Sequence, residues 1–351
     1  MYQPILKNKL NELKGLNNVS LNKGLNPIIE LVDLNKKNTV ENVIKYLMEK
    51  ISNISENKHI YIDTPTYLYN ELYDYFGLED IETKHKFFLE IKKIFDKEID
   101  FTPVISFDYA YESEKKSYKE NIKFFKKMLN DFDNLAIRIF ANETFSSSDE
   151  LLISQIYDFL GDELENKYIT LIIEVSKKNK SKVLSLLKEI TEEYTINQIT
   201  LVGEAFNNDS RHSTAEVYDR IKNHHLLNFL EIQKSLNSEF VYADYTLADK
   251  IPSKIEIDPL KGFLYYPFIK FTTEDGNMCY FSAESKGRYE QYKSLCTSII
   301  EKINNYSIEH CSTCKFIKDV SSGTIDKFRA GSTWKYRMIA HHISTMADYF
   351  K

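Results

Sequence analysis

Eight short runs of apolar, often β-branched residues recur along the chain. Each closes on a polar or charged residue and gives way to a stretch with helical spacing. They are Pro4-Ile5-Leu6-Lys7, Pro27-Ile28-Ile29-Glu30, Ile60-Tyr61-Ile62-Asp63 and Pro103-Val104-Ile105-Ser106-Phe107-Asp108, then Leu135-Ala136-Ile137-Arg138, Leu171-Ile172-Ile173-Glu174, Ile199-Thr200-Leu201-Val202-Gly203-Glu204 and Phe240-Val241-Tyr242-Ala243-Asp244. The runs are mostly continuous rather than alternating, as expected of parallel strands buried on both faces. Strands alternating with helical patterns predict βαβ units, and eight such units are the number that closes a (β/α)8 barrel.

The intervening stretches carry apolar residues at i, i+3 and i+4, the pattern of a helix with one buried face. Helices are predicted over 8–18, 39–54, 67–76, 83–95, 112–132, 148–160, 180–194 and 213–236, the last broken near His224-His225. Val40, Val43, Ile44, Leu47, Met48 and Ile51 make the clearest stripe, with Thr39 as its N-cap. Beyond residue 246 the pattern changes. Pro252 and Pro259 punctuate a loop, and Asp275-Gly276 between two β-rich runs predicts a hairpin. Helices are expected over 286–303 and 333–346. The predicted organisation is a TIM-like α/β barrel over 1–250 and a C-terminal α+β appendage over 251–351, packed on the barrel.

Composition narrows the function classes. Hydrophobic residues at 42% supply a sizeable core, and a net charge of −6 argues against a broad nucleic-acid-binding face. The 46 Lys and Arg still allow a local basic groove. No run approaches the roughly 20 apolar residues of a membrane span. The opening residues lack the basic-then-apolar pattern of a signal peptide. The four cysteines lie in the last quarter, so a disulfide framework is not expected, and the cytoplasm is the default compartment.

In a barrel of this kind the carboxyl ends of the strands face the functional mouth. Those positions hold Lys7, Glu30, Asp63, Asp108, Arg138, Glu174, Glu204 and Asp244. Several carboxylates in one mouth repel each other unless a proton or cation intervenes. Mg²⁺ or Mn²⁺ suits such oxygen ligands. Glu30, Asp63, Glu174, Glu204 and Asp244 are therefore candidate metal or acid–base groups. Lys7, Asp108, Arg138 and Arg211 are candidate ligand contacts, the cations holding phosphate oxygens. That chemistry is metal-dependent phosphodiester hydrolysis, with a nucleotide or nucleic acid as ligand. The competing reading is internal ion pairing that merely closes the end of the core, and a one-residue slip would turn an inward side chain outward. Gly203, Glu204, Arg211 and Glu216 follow the seventh strand, where phosphate sites are frequent in barrels, although Ser213 with Glu216 is also a capping box.

The tail offers His310-Cys311-Ser312-Thr313-Cys314 and His341-His342. The Cys-x2-Cys half matches a zinc site, but adjacent histidines rarely both reach one ion and no second Cys-x2-Cys exists, so buried structural cysteines are the favoured reading. Trp334, Arg337 and His341 fall on one helical face, a substrate contact or, preferred, a packed tail helix.

Several segments together resemble the phage-associated Beta protein family. They are Tyr2-Gln3-Pro4-Ile5-Leu6-Lys7-Asn8-Lys9 with Glu12, Asn26-Pro27-Ile28-Ile29-Glu30, Asp244-Tyr245-Thr246, and the closing Gly331-Ser332-Thr333-Trp334 with His341-His342. Ala243 and Ser332 stand where the family pattern has Gly and Asn, and Cys314 also departs from it. The resemblance implies a prophage or mobile-element setting and a part in antiviral defence or a toxin–antitoxin-like pairing. It brings no catalytic residues. Two functions follow as expectations: a phosphate-ligand site at the barrel mouth, or a non-catalytic interaction protein that antagonises a toxin-like partner encoded in the same locus.

Overall fold

The computed structural model describes residues 1–19, 25–32, 39–51, 59–65, 81–95, 99–107, 118–139, 161, 164, 166–176, 179–194, 196–203, 219–247 and 266–351. Eight parallel strands close a barrel. They are β1 (Tyr2–Lys7), β2 (Ile28–Glu30), β3 (His59–Asp63), β4 (Asp100–Phe107), β5 (Asn134–Ile139), β6 (Tyr168–Val175), β7 (Gln198–Gly203) and Val241–Asp244. The last pairs with both β7 and β1, so the ring is complete. All eight apolar runs of the sequence became its strands.

Side chains alternate between the two faces of a strand. Cross-barrel contacts identify the interior set. Thr200 Oγ1 donates to Gln3 Oε1 at 3.0 Å, and the Tyr61 and Thr170 hydroxyl oxygens lie 3.2 Å apart. Gln3, Ile5 and Lys7 therefore share the interior of β1, and Tyr61 and Asp63 share that of β3. Ile5, paired with Ile28, is buried below the charged ends. A slip of one residue would push Lys7 and Glu30 out and Leu6 and Ile29 in, which the cost of burying and exposing the wrong groups forbids.

The helices keep the predicted stripes. In α2 (Val40–Ile51) Ile44 and Leu47 are buried. In α3 (Ile81–Phe95) the buried residues include Phe87, Phe88, Ile91 and Phe95, and in α4 (Tyr118–Asp131) Phe124, Phe125, Met128 and Leu129. In α5 (Lys180–Glu193) they are Val183, Leu186, Leu187 and Ile190. Each such side chain contributes about 1.5–3 kcal/mol of transfer free energy. The helices expected over 67–76 and 148–160 lie outside the described residues.

The expectation of a helix over 213–236 needs correction. Its described part opens with a strand, β8 (Asp219–Ile221), and the helix α6 starts only at His224 (His224–Leu236). The eighth barrel strand is thus β9 (Val241–Asp244). β8 leaves the helical pattern because Ile221 and Arg220 pair antiparallel with Met278 and Cys279, an interaction far off in sequence.

By chain contacts the molecule divides into two units. One holds the barrel strands. The other holds Lys9–Leu25, Ala205–Asn223 and Tyr245–Lys351. In this second unit, α1 (Leu10–Asn17), β10 (Phe268–Thr272) and β11 (Met278–Ser282) join β8 and three later helices, α7 (Tyr292–Lys302), α8 (Ser312–Ser322) and α9 (Gly331–Tyr349). The expected hairpin forms: β10 and β11 pair antiparallel around Asp275-Gly276. Gly276 has φ 74°, a conformation that glycine adopts without steric cost. The sheet, α7, α8 and α9 enclose a second core that includes Phe271, Phe281, Leu295, Ile299, Ile317 and Trp334.

Candidate functional site

Register alone brings charges together. Lys7, Glu30 and Asp63 are successive partners across β1, β2 and β3. Glu30 and Asp63 would repel each other without a cation between them. Arg138, from β5, supplies it. Its Nη1 donates to Glu30 Oε1 at 3.0 Å and also to Asp63 Oδ2, and its Nη2 donates to Glu174 Oε1 at 3.2 Å. Ser106 Oγ donates to the other Asp63 oxygen at 2.6 Å. Lys7 Nζ stands 3.9 Å from Glu30 Oε2. Asn179, at the start of α5, donates from Nδ2 to the Glu174 carbonyl at 3.3 Å.

The network is withdrawn from solvent: Arg138, Glu30 and Asp63 are each 0% exposed, and Glu174 is 5%. Charges taken out of water in this way persist only when they are paired and hydrogen-bonded. Three carboxylates face two cations, so the cluster carries an excess of acid. Burial raises the proton affinity of Asp63 above the ordinary carboxylate, with Glu30 adding to the rise and Arg138 and Ser106 opposing it. A carboxyl with raised proton affinity beside a guanidinium has the ingredients of an acid–base group.

Asp244 is not brought to Arg138. It follows Ala243 in β9 and accepts a hydrogen bond from the Tyr2 hydroxyl at 2.8 Å. Tyr2 stacks on Tyr242, and Tyr242 meets Phe229 of α6 edge-on. Alternation therefore puts Tyr2, Tyr242 and Asp244 on the helix-facing side of the sheet, and leaves Ala243 facing the interior. Burial and the neighbouring Asp244 hold the Tyr2 hydroxyl well above the ordinary phenol range. Asp108, Glu204, Arg211, Ser213 and Glu216 lie outside the described residues.

The candidate face of the tail helix is turned inward. Trp334 stacks on Tyr292 with ring centroids 4.7 Å apart, and its Nε1 donates to the Phe328 carbonyl at 2.7 Å. The Arg337 guanidinium lies 3.6 Å from the centroid of the Phe316 ring, which Trp334 also meets edge-on. His341 instead faces Cys311, just before α8, and Cys314 in its first turn. The contact between the two sulfurs, and secondarily His341, holds the Cys311 thiol below the ordinary cysteine range. His342 turns the other way, Nδ1 to Thr272 Oγ1 at 2.8 Å. Sequence reasoning missed two polar partners, Ser106 and the Tyr2 hydroxyl. Ser106 sits inside an apolar run, and only strand pairing shows that it is beside Arg138.

A family model described as Beta protein matches residues 2–348. No curated protein and no solved structure matches the chain. Among the described residues no helix is long and apolar enough to cross a membrane.

Proposed function

The chain belongs to the Beta protein family, and from that premise we propose that it is a phage-associated protein whose barrel mouth binds or cleaves a phosphate-containing ligand, a nucleotide or nucleic acid. The observation that carries this reading is the convergence of Lys7, Glu30, Asp63, Arg138 and Glu174, from five strands, on one buried network. In this fold the carboxyl ends of the strands are where chemistry resides. A buried charge cluster is a costly way to build a core when apolar residues of similar volume would serve.

The proposed roles follow from the pairing. Glu30 and Glu174 would offer oxygens to Mg²⁺ or Mn²⁺, and Asp63, with its raised proton affinity, would exchange a proton. With such an ion as the carboxylates' counter-charge, Arg138, whose planar fork suits phosphate, and Lys7 would hold the anionic ligand. The reaction class is metal-dependent phosphodiester hydrolysis, and the setting is antiviral defence or antagonism of a killing protein.

One observation favours a second reading. Arg138 is matched by three carboxylates of the protein itself, so ion pairing alone accounts for its burial. On that reading the chain is a non-catalytic interaction protein that antagonises or regulates a toxin-like partner encoded in the same locus.

Thermal melting with EDTA, Mg²⁺ or Mn²⁺, paired with a hydrolysis screen on nucleotides and single-stranded oligonucleotides, separates the two. A ligand that binds only the native state raises its stability. The metal-dependent reading expects a rise of several degrees with Mn²⁺ or Mg²⁺ that disappears in Glu174→Gln, together with turnover in the wild type. No shift with either ion and no turnover overturns it, and pull-down with neighbouring gene products becomes the next experiment.

A further inference from the structure

We infer that the second unit carries a zinc site made by Cys311, Cys314 and His341, with His310 as the fourth ligand. It is independent of the barrel mouth.

The geometry comes first. Cys311 Sγ and Cys314 Sγ are 3.7 Å apart. His341 Nδ1 is 3.5 Å from the first sulfur and 3.6 Å from the second. Tetrahedral zinc, with its usual bond lengths to sulfur and nitrogen, separates two sulfurs by about 3.8 Å and a sulfur from a nitrogen by about 3.6 Å. The three atoms already form one face of that tetrahedron.

The tautomer of His341 agrees. Its Nε2 lies 2.8 Å from the Thr272 carbonyl oxygen, which only accepts. Nε2 therefore carries the proton, and the lone pair of Nδ1 points at the two sulfurs. A backbone carbonyl on the far nitrogen is a usual support for a metal-binding histidine. The elements supply the rest. Cys311 is the N-cap residue of α8 and Cys314 lies in its first turn, where unpaired amides and the helix dipole favour thiolates. Two thiolates and a neutral imidazole compensate the charge of Zn²⁺, which suits a largely buried position.

A ring nitrogen of His310 lies within 4.8 Å of both the Cys311 sulfur and a ring nitrogen of His341. The Asp348 carboxylate is 3.6 Å from His310 Nδ1, and Thr345 Oγ1 is 3.1 Å from Nε2. A cavity of about 290 Å³, lined in part by Cys314, His310, His341, Thr272, Tyr306 and Thr345, gives the ion a way in. Soft sulfur donors with imidazole select zinc over magnesium or manganese. The other chemistry open to a Cys-x2-Cys pair is a reversible disulfide. That would draw the sulfurs together and leave the lone pair of His341 without a partner.

The test uses the full chain, purified without chelator. Elemental analysis is expected to find one zinc per chain. Replacing it with Co²⁺ is expected to give the intense visible bands of a tetrahedral ion and a sulfur-to-cobalt charge-transfer band. Both are lost in Cys314→Ser and in His341→Gln, with folding checked by circular dichroism. Absence of zinc in the wild type, together with an octahedral Co²⁺ spectrum, overturns the proposal, and this measurement does not depend on any variant folding. A Cys311–Cys314 disulfide that forms under mild oxidant at the same rate with and without Zn²⁺ also overturns it, in favour of a redox pair.

Discussion

Arg138 Nη1 donates to Glu30 Oε1 at 3.0 Å, a hydrogen bond between the fifth and second barrel strands that spans 108 residues of sequence. Both partners are fully buried. Because the same guanidinium also serves Asp63 and Glu174, its removal acts on three carboxylates at once. Arg138→Met is expected to destabilise the protein by about 3–5 kcal/mol, the usual cost of leaving buried charges uncompensated. Urea denaturation measures this. A loss below about 1 kcal/mol would show that the carboxylates do not depend on Arg138.

Asp63 gives the network a pH dependence. Its folded-state pKa is raised above 3.8, chiefly by burial, so the folded chain binds a proton more readily than the unfolded one. The stability from this group is fully present below the unfolded value and is lost as the pH rises through the folded value. Stability plotted against pH is expected to carry a descending component just above the ordinary carboxylate range. That component disappears in Asp63→Asn. An identical slope in wild type and variant would assign the proton elsewhere.

Tyr2 and Asp244 tie the first strand to the last on the outer face of the barrel. Tyr2→Phe keeps the ring stacked on Tyr242 and removes only the donor to a buried carboxylate. A loss of about 1–3 kcal/mol is expected, read from the shift in denaturation midpoint at unchanged m-value. A neutral outcome would mean that the other interactions of Asp244 satisfy it.

Gly15 sets how closely α1 and α9 approach. A Cβ there would lie 2.7 Å from Ile339 Cγ2 and 3.0 Å from the Tyr336 carbonyl oxygen. Relief at the carbonyl requires the helices to part, since backbone does not give way as a side-chain end does. Gly15→Ala is expected to cost about 1–3 kcal/mol despite its better helix propensity. A stabilising effect, by thermal melting, would show that the pair has room to spare.

The periodic apolar runs determined the number of barrel strands and the ends at which Lys7, Glu30, Asp63, Arg138 and Glu174 gather. Periodicity is a local property, and burying an apolar face leaves few choices of element. The Asp-Gly turn of the hairpin was legible for a similarly local reason, the positive φ at Gly276. What lay beyond the sequence depended on distant partners. β8 is a strand because β11 offers it a free edge. Asp244 faces outward because the register of β9 with β1 sets its parity. Ser106 joins Asp63 across 43 residues, and His341 rather than His342 meets the cysteines because the packing of α9 aims one ring at α8 and the other at Thr272. Sequence spacing shows which face of an element a side chain occupies. Only the closed barrel and the packed second core decide which other face it meets, because the burial and pairing energies that select among those meetings belong to contacts between segments far apart in the chain.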